Sequence, residues 1–265
     1  MKIRLFNYCD DVKKPGVPKA DYSQIAKYYD KVRHPPADVL LSKIIAYGKI
    51  DANCAVLDIG CGTGRYPLSI SAMKDLMFCA LEPSIDMVKQ AVAKDKSKCV
   101  LWVQGDGQRL PFRDSLFDCV YMTAVIHHIE NKEMILREIY RVSKKDGKCV
   151  IMTFSHSRIK KHITHDFPGI VAIDLKRIPS VPSLKKMMAI IGFRDVHYHA
   201  VQLDEGYVST DEYLRRVRNK YMSTLTLLSE EDFQRGFEIF KERVEKKYGN
   251  QIRKISWFVF IDGQK

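Results

Sequence analysis

The residues in the middle of the chain that could do chemistry are three glycines and two carboxylates. Gly60, Gly62 and Gly64 alternate in a turn between a short apolar run and an amphipathic one. Glycine lets another group come close to the backbone, because it has no Cβ atom. Glu82 and Asp106 lie at or just after the ends of two later apolar runs. Carboxylates at such places can accept hydrogen bonds from ribose hydroxyls or from an adenine amino group.

Strand-like and helix-like stretches alternate around these residues, and they must position them. The pattern predicts intervening helices and strands at Cys54–Ile59, Met77–Leu81, Cys99–Val103, Phe117–Met122, Cys149–Phe154 and Val196–Val201. Strands separated by helices are typical of an α/β protein with a doubly wound, mostly parallel sheet. Because the carboxyl ends of parallel strands meet at one edge, the glycine turn and both carboxylates would lie together. We expect an adenosine-containing ligand there; the alternative is a tight turn that binds nothing.

Four stretches occur in order along this part of the chain: VLDIGCGTG at 56–64, LEPSIDM at 81–87, GDGQRLPF at 105–112 and FDCVYMTAVIHHI at 117–129. Together they resemble the signature of class I S-adenosylmethionine-dependent methyltransferases. The resemblance runs from about Tyr22 to the end of the chain. It implies a Rossmann-like sheet of seven strands, whose last strand, Trp257–Ile261, runs antiparallel, and S-adenosylmethionine as the cofactor.

The resemblance also implies which residues hold the cofactor. Asp58 would help to bind the methionine amino group, and Glu82 would hold the ribose. Pro83 and Met87 would flank the adenine, whose edge Asp106 and its neighbour would recognise. The complete set of expected cofactor contacts is Tyr29, Arg33, Asp58, Gly60, Cys61, Gly62, Gly64, Glu82, Pro83, Met87, Asp106, Gly107 and Thr123.

Two adjacent histidines are the candidates for a catalytic base. Transfer of a methyl group from a sulfonium is an in-line displacement in which the protein mainly aligns donor and acceptor. A base is needed only when the acceptor must lose a proton. His127 and His128 follow the fourth predicted strand and could serve there. The alternative is that at least one of them is structural and hydrogen-bonds the loop.

A second group of histidines lies in the most basic part of the chain. His156, His162 and His165 fall beside Lys160 and Lys161. Its basic neighbours predict a basic pocket wall, and we expect no metal site. The expected substrate contacts are Tyr22, Arg158, Lys160 and Lys161.

We expect one structural domain made of several segments. Residues 1–53 would form an N-terminal helical cap and residues 54–154 the cofactor-binding core. Residues 155–186 would form an irregular basic excursion, and residues 203–250 a helical lid. Residues 187–202 and 251–265 would complete the sheet. Both insertions leave the carboxyl ends of strands, so they would cover the cofactor and recognise the methyl acceptor.

The chain therefore looks like an enzyme that methylates a small molecule, which could be anionic. Its helical insertion and the RHPP stretch at 33–36 loosely resemble small-acid methyltransferases of the trans-aconitate type. Two alternatives stay open. GTGRY at 62–66 and AVIHHI at 124–129 also resemble wobble-uridine tRNA methyltransferases, and a noncatalytic partner subunit would bind the same cofactor. The acceptor, its nucleophilic atom (oxygen, nitrogen, sulfur or carbon) and the oligomeric state are left open.

Composition limits the class of protein and its location. The 265 residues carry a formal net charge of +12, which suits an anionic partner or a basic surface. The first residues lack the apolar run of a signal peptide, and no stretch is long enough for a membrane span. Seven scattered cysteines form no C-x-x-C pair, which is typical of buried thiols in a reducing compartment. We expect a cytoplasmic protein.

Overall fold

A twisted sheet is the framework of the computed structural model, which describes residues 4–5, 36–73 and 75–265. Its strands are β1 (Arg4–Leu5), β2 (Ala55–Ile59), β3 (Met77–Glu82), β4 (Val100–Gln104), β5 (Phe117–Thr123), β6 (Ser143–Thr153), β7 (Arg194–Ser209) and β8 (Gln251–Gln264). They follow the order β1-β4-β3-β2-β5-β6-β8-β7 across the sheet. β8 runs antiparallel to both of its neighbours, and the remaining paired strands are parallel.

The predicted α/β class and the seven-stranded, mostly parallel sheet are confirmed. β2 to β8 are those seven strands, and β8 contains the expected antiparallel stretch Trp257–Ile261. A two-residue strand, β1, adds an eighth at the edge of the sheet, where it pairs in parallel with β4. The order places β2, with the glycine turn at its end, beside β3 and β5 in the middle of the sheet.

Helices cover both faces of the sheet and its carboxyl edge. They are α1 (Asp38–Gly48), α2 (Arg65–Ser71), α3 (Ile85–Lys94), α4 (Lys132–Val142), α5 (His156–Ile159), α6 (Ile170–Arg177), α7 (Val181–Ile191), α8 (Thr210–Arg218) and α9 (Glu230–Tyr248). Ser84, Ser209 and Ser229 begin α3, α8 and α9, and each hydroxyl accepts from the backbone N–H three residues later. Serine is among the residues that are preferred at this position, because its hydroxyl satisfies a backbone N–H of the first turn. Among the described residues no helix is both long and apolar enough to cross a bilayer.

The apolar residues form three separate clusters. Because side chains alternate across β2, Leu57 and Ile59 pack on one face of the sheet with α4 and α7, whereas Val56 packs on the other with α1. The third cluster lies between α6, α8, α9 and the first residues of β8, where Ile252 belongs to it. Its largest fully buried members are Phe167, Tyr213, Phe233, Phe237 and Phe240.

Two predicted boundaries are wrong. The stretch predicted to be irregular contains α5, α6 and a 3-10 turn at Ile163–Asp166. α6 buries Ile170, Asp174 and Arg177, and because two of these three residues are charged, the apolar period of the helix is hidden. β7 continues eight residues beyond the predicted end at Val201, so residues 203–209, which were assigned to the helical lid, extend the strand. The extra strand is polar and is held by backbone pairing with β8.

Candidate active site

The glycine turn after β2 serves two different purposes. All three glycines adopt the left-handed region, with φ of +73° at Gly60, +56° at Gly62 and +82° at Gly64. A Cβ atom on Gly60 would lie 2.5 Å from Val125, and one on Gly64 would lie 2.6 Å from Trp102. A Cβ atom on Gly62 would meet no protein atom within 4 Å. Packing within the protein therefore explains two of the glycines, and Gly62 alone faces open space.

Glu82, the last residue of β3, is held against this turn. One carboxylate oxygen accepts from the backbone N–H of Gly62 at 3.0 Å, and the other accepts from that of Ser84 at 3.0 Å. The side chain is buried, and this burial raises the pKa of Glu82, although the two N–H bonds oppose the rise. The two bonds fix the direction of the carboxylate and leave lone pairs on each oxygen for further donors.

Asp58 lies beneath the turn and is fully buried. Neither of its carboxylate oxygens has a hydrogen-bond partner among the described residues, and the hydroxyl of Tyr121 lies near it without a well-formed bond. Burial raises the pKa of Asp58 well above its usual range, and the nearby charge of Glu82 adds to the rise. A buried carboxylate without a partner is costly, and a cationic group beside it would relieve that cost.

The loop after β4 lies beside the same glycine turn. Asp106 is exposed and accepts from the backbone N–H of Gln108 at 2.9 Å. Gly107 is wedged against Ile59 and Ile135, since a Cβ atom on it would lie 3.0 and 2.9 Å from them. This glycine allows the loop to approach the end of β2 closely.

A cavity of about 750 Å³ joins these features. Most of the expected cofactor contacts line it: Gly60, Cys61, Gly62, Glu82, Pro83, Met87, Asp106, Gly107 and Thr123. Asp58 and Gly64 do not line it, since the first lies behind the turn and the second packs on Trp102. Tyr22, Tyr29 and Arg33, together with the predicted N-terminal helix, lie outside the described residues.

Comparison with known proteins agrees with this geometry. A family profile described as a methyltransferase domain matches residues 57–151. The ubiquinone/menaquinone biosynthesis C-methyltransferase UbiE of Legionella pneumophila strain Corby is 26% identical over 171 residues, covering 55% of this chain and 68% of that protein. The solved structure of a methyltransferase candidate from an antibiotic biosynthesis pathway of Anabaena variabilis has a TM-score of 0.71 at 23% identity, covering 85% of this chain and 97% of that one. Residues 57–151 form a methyltransferase domain, and the fold of the chain is that of the class I S-adenosylmethionine-dependent methyltransferases.

A further solved structure shares the fold of this methyltransferase. Phosphoethanolamine N-methyltransferase 2 of Haemonchus contortus, in complex with phosphomonomethylethanolamine and S-adenosylhomocysteine, has a TM-score of 0.59 at 17% identity. The match covers 91% of this chain and 56% of that one. S-adenosylmethionine is the cofactor of the family.

The residues of this methyltransferase fit that cofactor. Gly62 leaves room for a ligand against the backbone, the directed lone pairs of Glu82 would suit the hydroxyls of a ribose, and the buried carboxyl group of Asp58, which has no partner among the described residues, would suit an amino group. When bound, the cofactor supplies a methyl group already activated on a sulfonium. The part of the protein is to hold that group in line with an acceptor and to exclude water.

The methyltransferase cavity continues from the cofactor residues towards the lid. We call this second part the acceptor half. It is lined by side chains from the loop after β5, from α5 and from the far ends of β7 and β8. They include His127, His128, Phe154, Arg158, His162, Glu205, Lys254, Trp257 and Phe258. The guanidinium of Arg158 lies 3.6 Å from the centroid of the Trp257 ring. The acceptor half is therefore aromatic as well as polar.

The predicted basic wall of the methyltransferase is only partly present. Arg158, His162 and His165 line the cavity, but Lys160 and Lys161 are exposed and lie outside it. Burial, and then the charge of Lys254, lower the pKa of His162 to about 4, so that this ring is neutral at pH 7. Within the described ranges no group of three or more histidine, cysteine, aspartate or glutamate side chains is placed to hold a metal ion.

The two candidate base residues differ in their surroundings. Their rings are 4.1 Å apart, in a 3-10 turn at Ile126–His128, and His127 is the more buried. His128 Nδ1 lies 3.2 Å from Nη2 of Arg177, a buried residue that sequence reasoning missed. The signal that could have found it is its spacing, because Ile170, Asp174 and Arg177 lie on one helical face.

Proposed function

We propose that this methyltransferase transfers a methyl group to a small molecule bound in the acceptor half of the cavity. The observation that carries the proposal is the continuity of one cavity from Gly62 and Glu82 to the aromatic side chains of Phe154 and Trp257. A cavity of about 750 Å³ is the size expected for a cofactor and a small ligand together. Side chains from residues 158–178 and 216–224 line it beyond the sheet, which favours an acceptor that is enclosed.

Charges in the acceptor half favour a polar acceptor with one anionic group. Arg158 is held against a ring and pairs with no carboxylate among the described residues, so its charge is available to a ligand. Lys254 forms a close ion pair with Glu205, and Arg216 pairs with Glu212 at 2.8 Å. These two pairs reduce the positive charge that the sequence alone suggested. Support for an anionic acceptor therefore comes mainly from Arg158.

The related proteins agree with a small acceptor without fixing its nucleophilic atom. UbiE is named as a C-methyltransferase of quinone biosynthesis, and the Haemonchus contortus enzyme is named as an N-methyltransferase of phosphoethanolamine. A carbon nucleophile needs a base, whereas an amine lone pair needs little help. Both kinds of acceptor are small molecules. We also propose a cytoplasmic location, which the scattered free cysteines support.

The decisive experiment follows the methyl group. The purified protein is incubated with methyl-labelled S-adenosylmethionine and either a small-metabolite extract or bulk tRNA. We expect label in a small metabolite and none in tRNA. Label in tRNA, together with binding that weakens steeply with salt, would establish the tRNA alternative instead. Cofactor binding without transfer to either, and with a copurifying protein in fixed stoichiometry, would establish the noncatalytic alternative.

A further inference from the structure

A buried arginine lies behind the acceptor half and joins three parts of the chain. Arg177, at the end of α6, is 4% exposed. Its Nη2 lies 3.2 Å from His128 Nδ1 and donates to Ser223 Oγ at 3.4 Å, and its Nη1 donates to Thr224 Oγ1 at 3.3 Å. It therefore connects the loop after β5 to the segment between α8 and α9.

A carboxylate on the same helix holds this arginine in place. Asp174 Oδ1 lies 3.9 Å from Arg177 Nη1 and accepts from the hydroxyl of Thr224 at 2.5 Å. Burial raises the pKa of Asp174, and the Thr224 bond and the Arg177 charge oppose the rise. A guanidinium enclosed in this way has little freedom to turn, since each end of its fork has a partner.

The chemistry of the pair decides where the proton of His128 lies. A guanidinium has donors and no acceptor, so Nδ1 of His128 must accept the bond from Arg177. A neutral imidazole with a bare Nδ1 carries its proton on Nε2. His128 also lines the cavity, unlike Arg177. We propose that Arg177 is a positioning residue that locks His128 as an Nε2–H donor towards an oxygen atom of the methyl acceptor, so that His128 is not the general base.

The proposal that Arg177 fixes the tautomer of His128 can be tested by observing that tautomer directly. Nitrogen-15 NMR of the histidine-labelled full chain distinguishes the two neutral tautomers, and His128→Gln assigns the signal. We expect a single Nε2–H form in the native chain. In Arg177→Met at least a tenth of the population should become Nδ1–H, and Arg177→Lys, which keeps a charged N–H donor, should keep the single form. An Nδ1–H form in the native chain would overturn the proposal. A spectrum of Arg177→Met that is identical to the native spectrum would also overturn it.

A matched control separates this effect from a general loss of an ion pair. Arg141 pairs with Glu138 and Asp114 away from the cavity, so Arg141→Met should leave the His128 signal unchanged. Should Arg177→Met fail to fold, the native spectrum and that of Arg177→Lys still decide the question. The affinity of Arg177→Lys for S-adenosylhomocysteine should stay within about threefold of the native value.

The role towards the acceptor rests on the proposed function and has its own measurement. Glutamine can donate a hydrogen bond but cannot take up a proton as a base. We expect His128→Gln to transfer at least tenfold more label into the metabolite extract than His128→Leu. Equal loss in both variants would overturn the donor role. If the native protein transfers no label at all, the proposed function fails, whereas the tautomer result stands by itself.

Discussion

Replacing Glu82 with glutamine should weaken cofactor binding far more than it weakens the fold. The carboxylate is directed by the backbone N–H groups of Gly62 and Ser84, each at 3.0 Å, and we infer that its remaining lone pairs receive the two ribose hydroxyls. In Glu82→Gln one hydroxyl loses a charged acceptor, which costs about 1.5–3 kcal/mol. The other exchanges a charged acceptor for a neutral one, which costs about 1 kcal/mol.

The sum, about 2.5–4 kcal/mol, corresponds to a Kd that is roughly 60-fold to 700-fold higher, since about 1.4 kcal/mol is a factor of ten. Titration calorimetry with S-adenosylhomocysteine measures this change directly. The variant is first checked by circular dichroism and by its Tm, because one backbone N–H near the turn also loses its acceptor. The measurement is then made well below that Tm.

Glu138→Gln is the matched control. Glu138 also accepts from a backbone N–H, that of Leu110 at 2.8 Å, and it pairs with Arg141, but it does not line the cavity. The control should lose stability and keep its Kd within about threefold of the native value. A folded Glu82→Gln that binds S-adenosylhomocysteine within threefold of the native protein would refute the assignment of Glu82 to the ribose.

Three further predictions concern other residues. Gly62→Ala should lower the free energy of unfolding in urea by about 1–2 kcal/mol, because φ at this residue is left-handed, and should bind S-adenosylhomocysteine at least tenfold more weakly. Gly64→Ala should lose much more stability, since its Cβ atom would lie 2.6 Å from an indole carbon. The raised pKa of Asp58 means that the folded state holds this proton more tightly than the unfolded state does, so the native chain loses stability as pH rises. Asp58→Asn avoids this loss, and its free energy of unfolding relative to that of the native chain should rise by up to about 1.4 kcal/mol per pH unit above about pH 4, until the raised pKa is passed. Urea unfolding of both proteins at pH 4.5 and 6.5 measures this, and an equal change in free energy of unfolding between the two pH values would contradict it. Arg158→Ala should lower label transfer to the small-molecule acceptor at least tenfold and Lys161→Ala should not change it, whereas equal effects would argue against the guanidinium as an acceptor contact.

Features that depend on neighbours in sequence were predictable. The alternation of β2, β3, β4 and β5 with helices follows from local apolar periodicity, and Ser84, Ser209 and Ser229 cap helices through bonds that reach only three residues ahead. The placement of Gly62, Glu82 and Asp106 around one cavity follows from the rule that parallel strands present their carboxyl ends together.

Features that depend on distant residues were not. Nothing near Gly60 or Gly64 in sequence shows that Val125 and Trp102 fill the space beside them. Arg177 resembles a solvated surface charge until the fold places Asp174 and Thr224 around it. Lys160 and Lys161 were expected in the cavity because they belong, with Arg158, to the most basic segment of the chain, but both follow the end of α5 and are exposed.

The point where the lid leaves the sheet has a consequence for how such enzymes diversify. Thr210 donates from its backbone N–H to Asn250 at 3.0 Å and from its hydroxyl to Gly249 at 2.5 Å, so the two ends of the roughly forty-residue insertion touch. A cassette whose ends meet can be exchanged between homologous scaffolds without moving the strands beneath it. The insertion must be exchanged together with residues 155–180, because Phe167 packs against Phe233 and Phe240 at centroid distances of 5.7 and 5.6 Å. New acceptors can then be acquired by trading both pieces together, while the donor pocket is inherited intact.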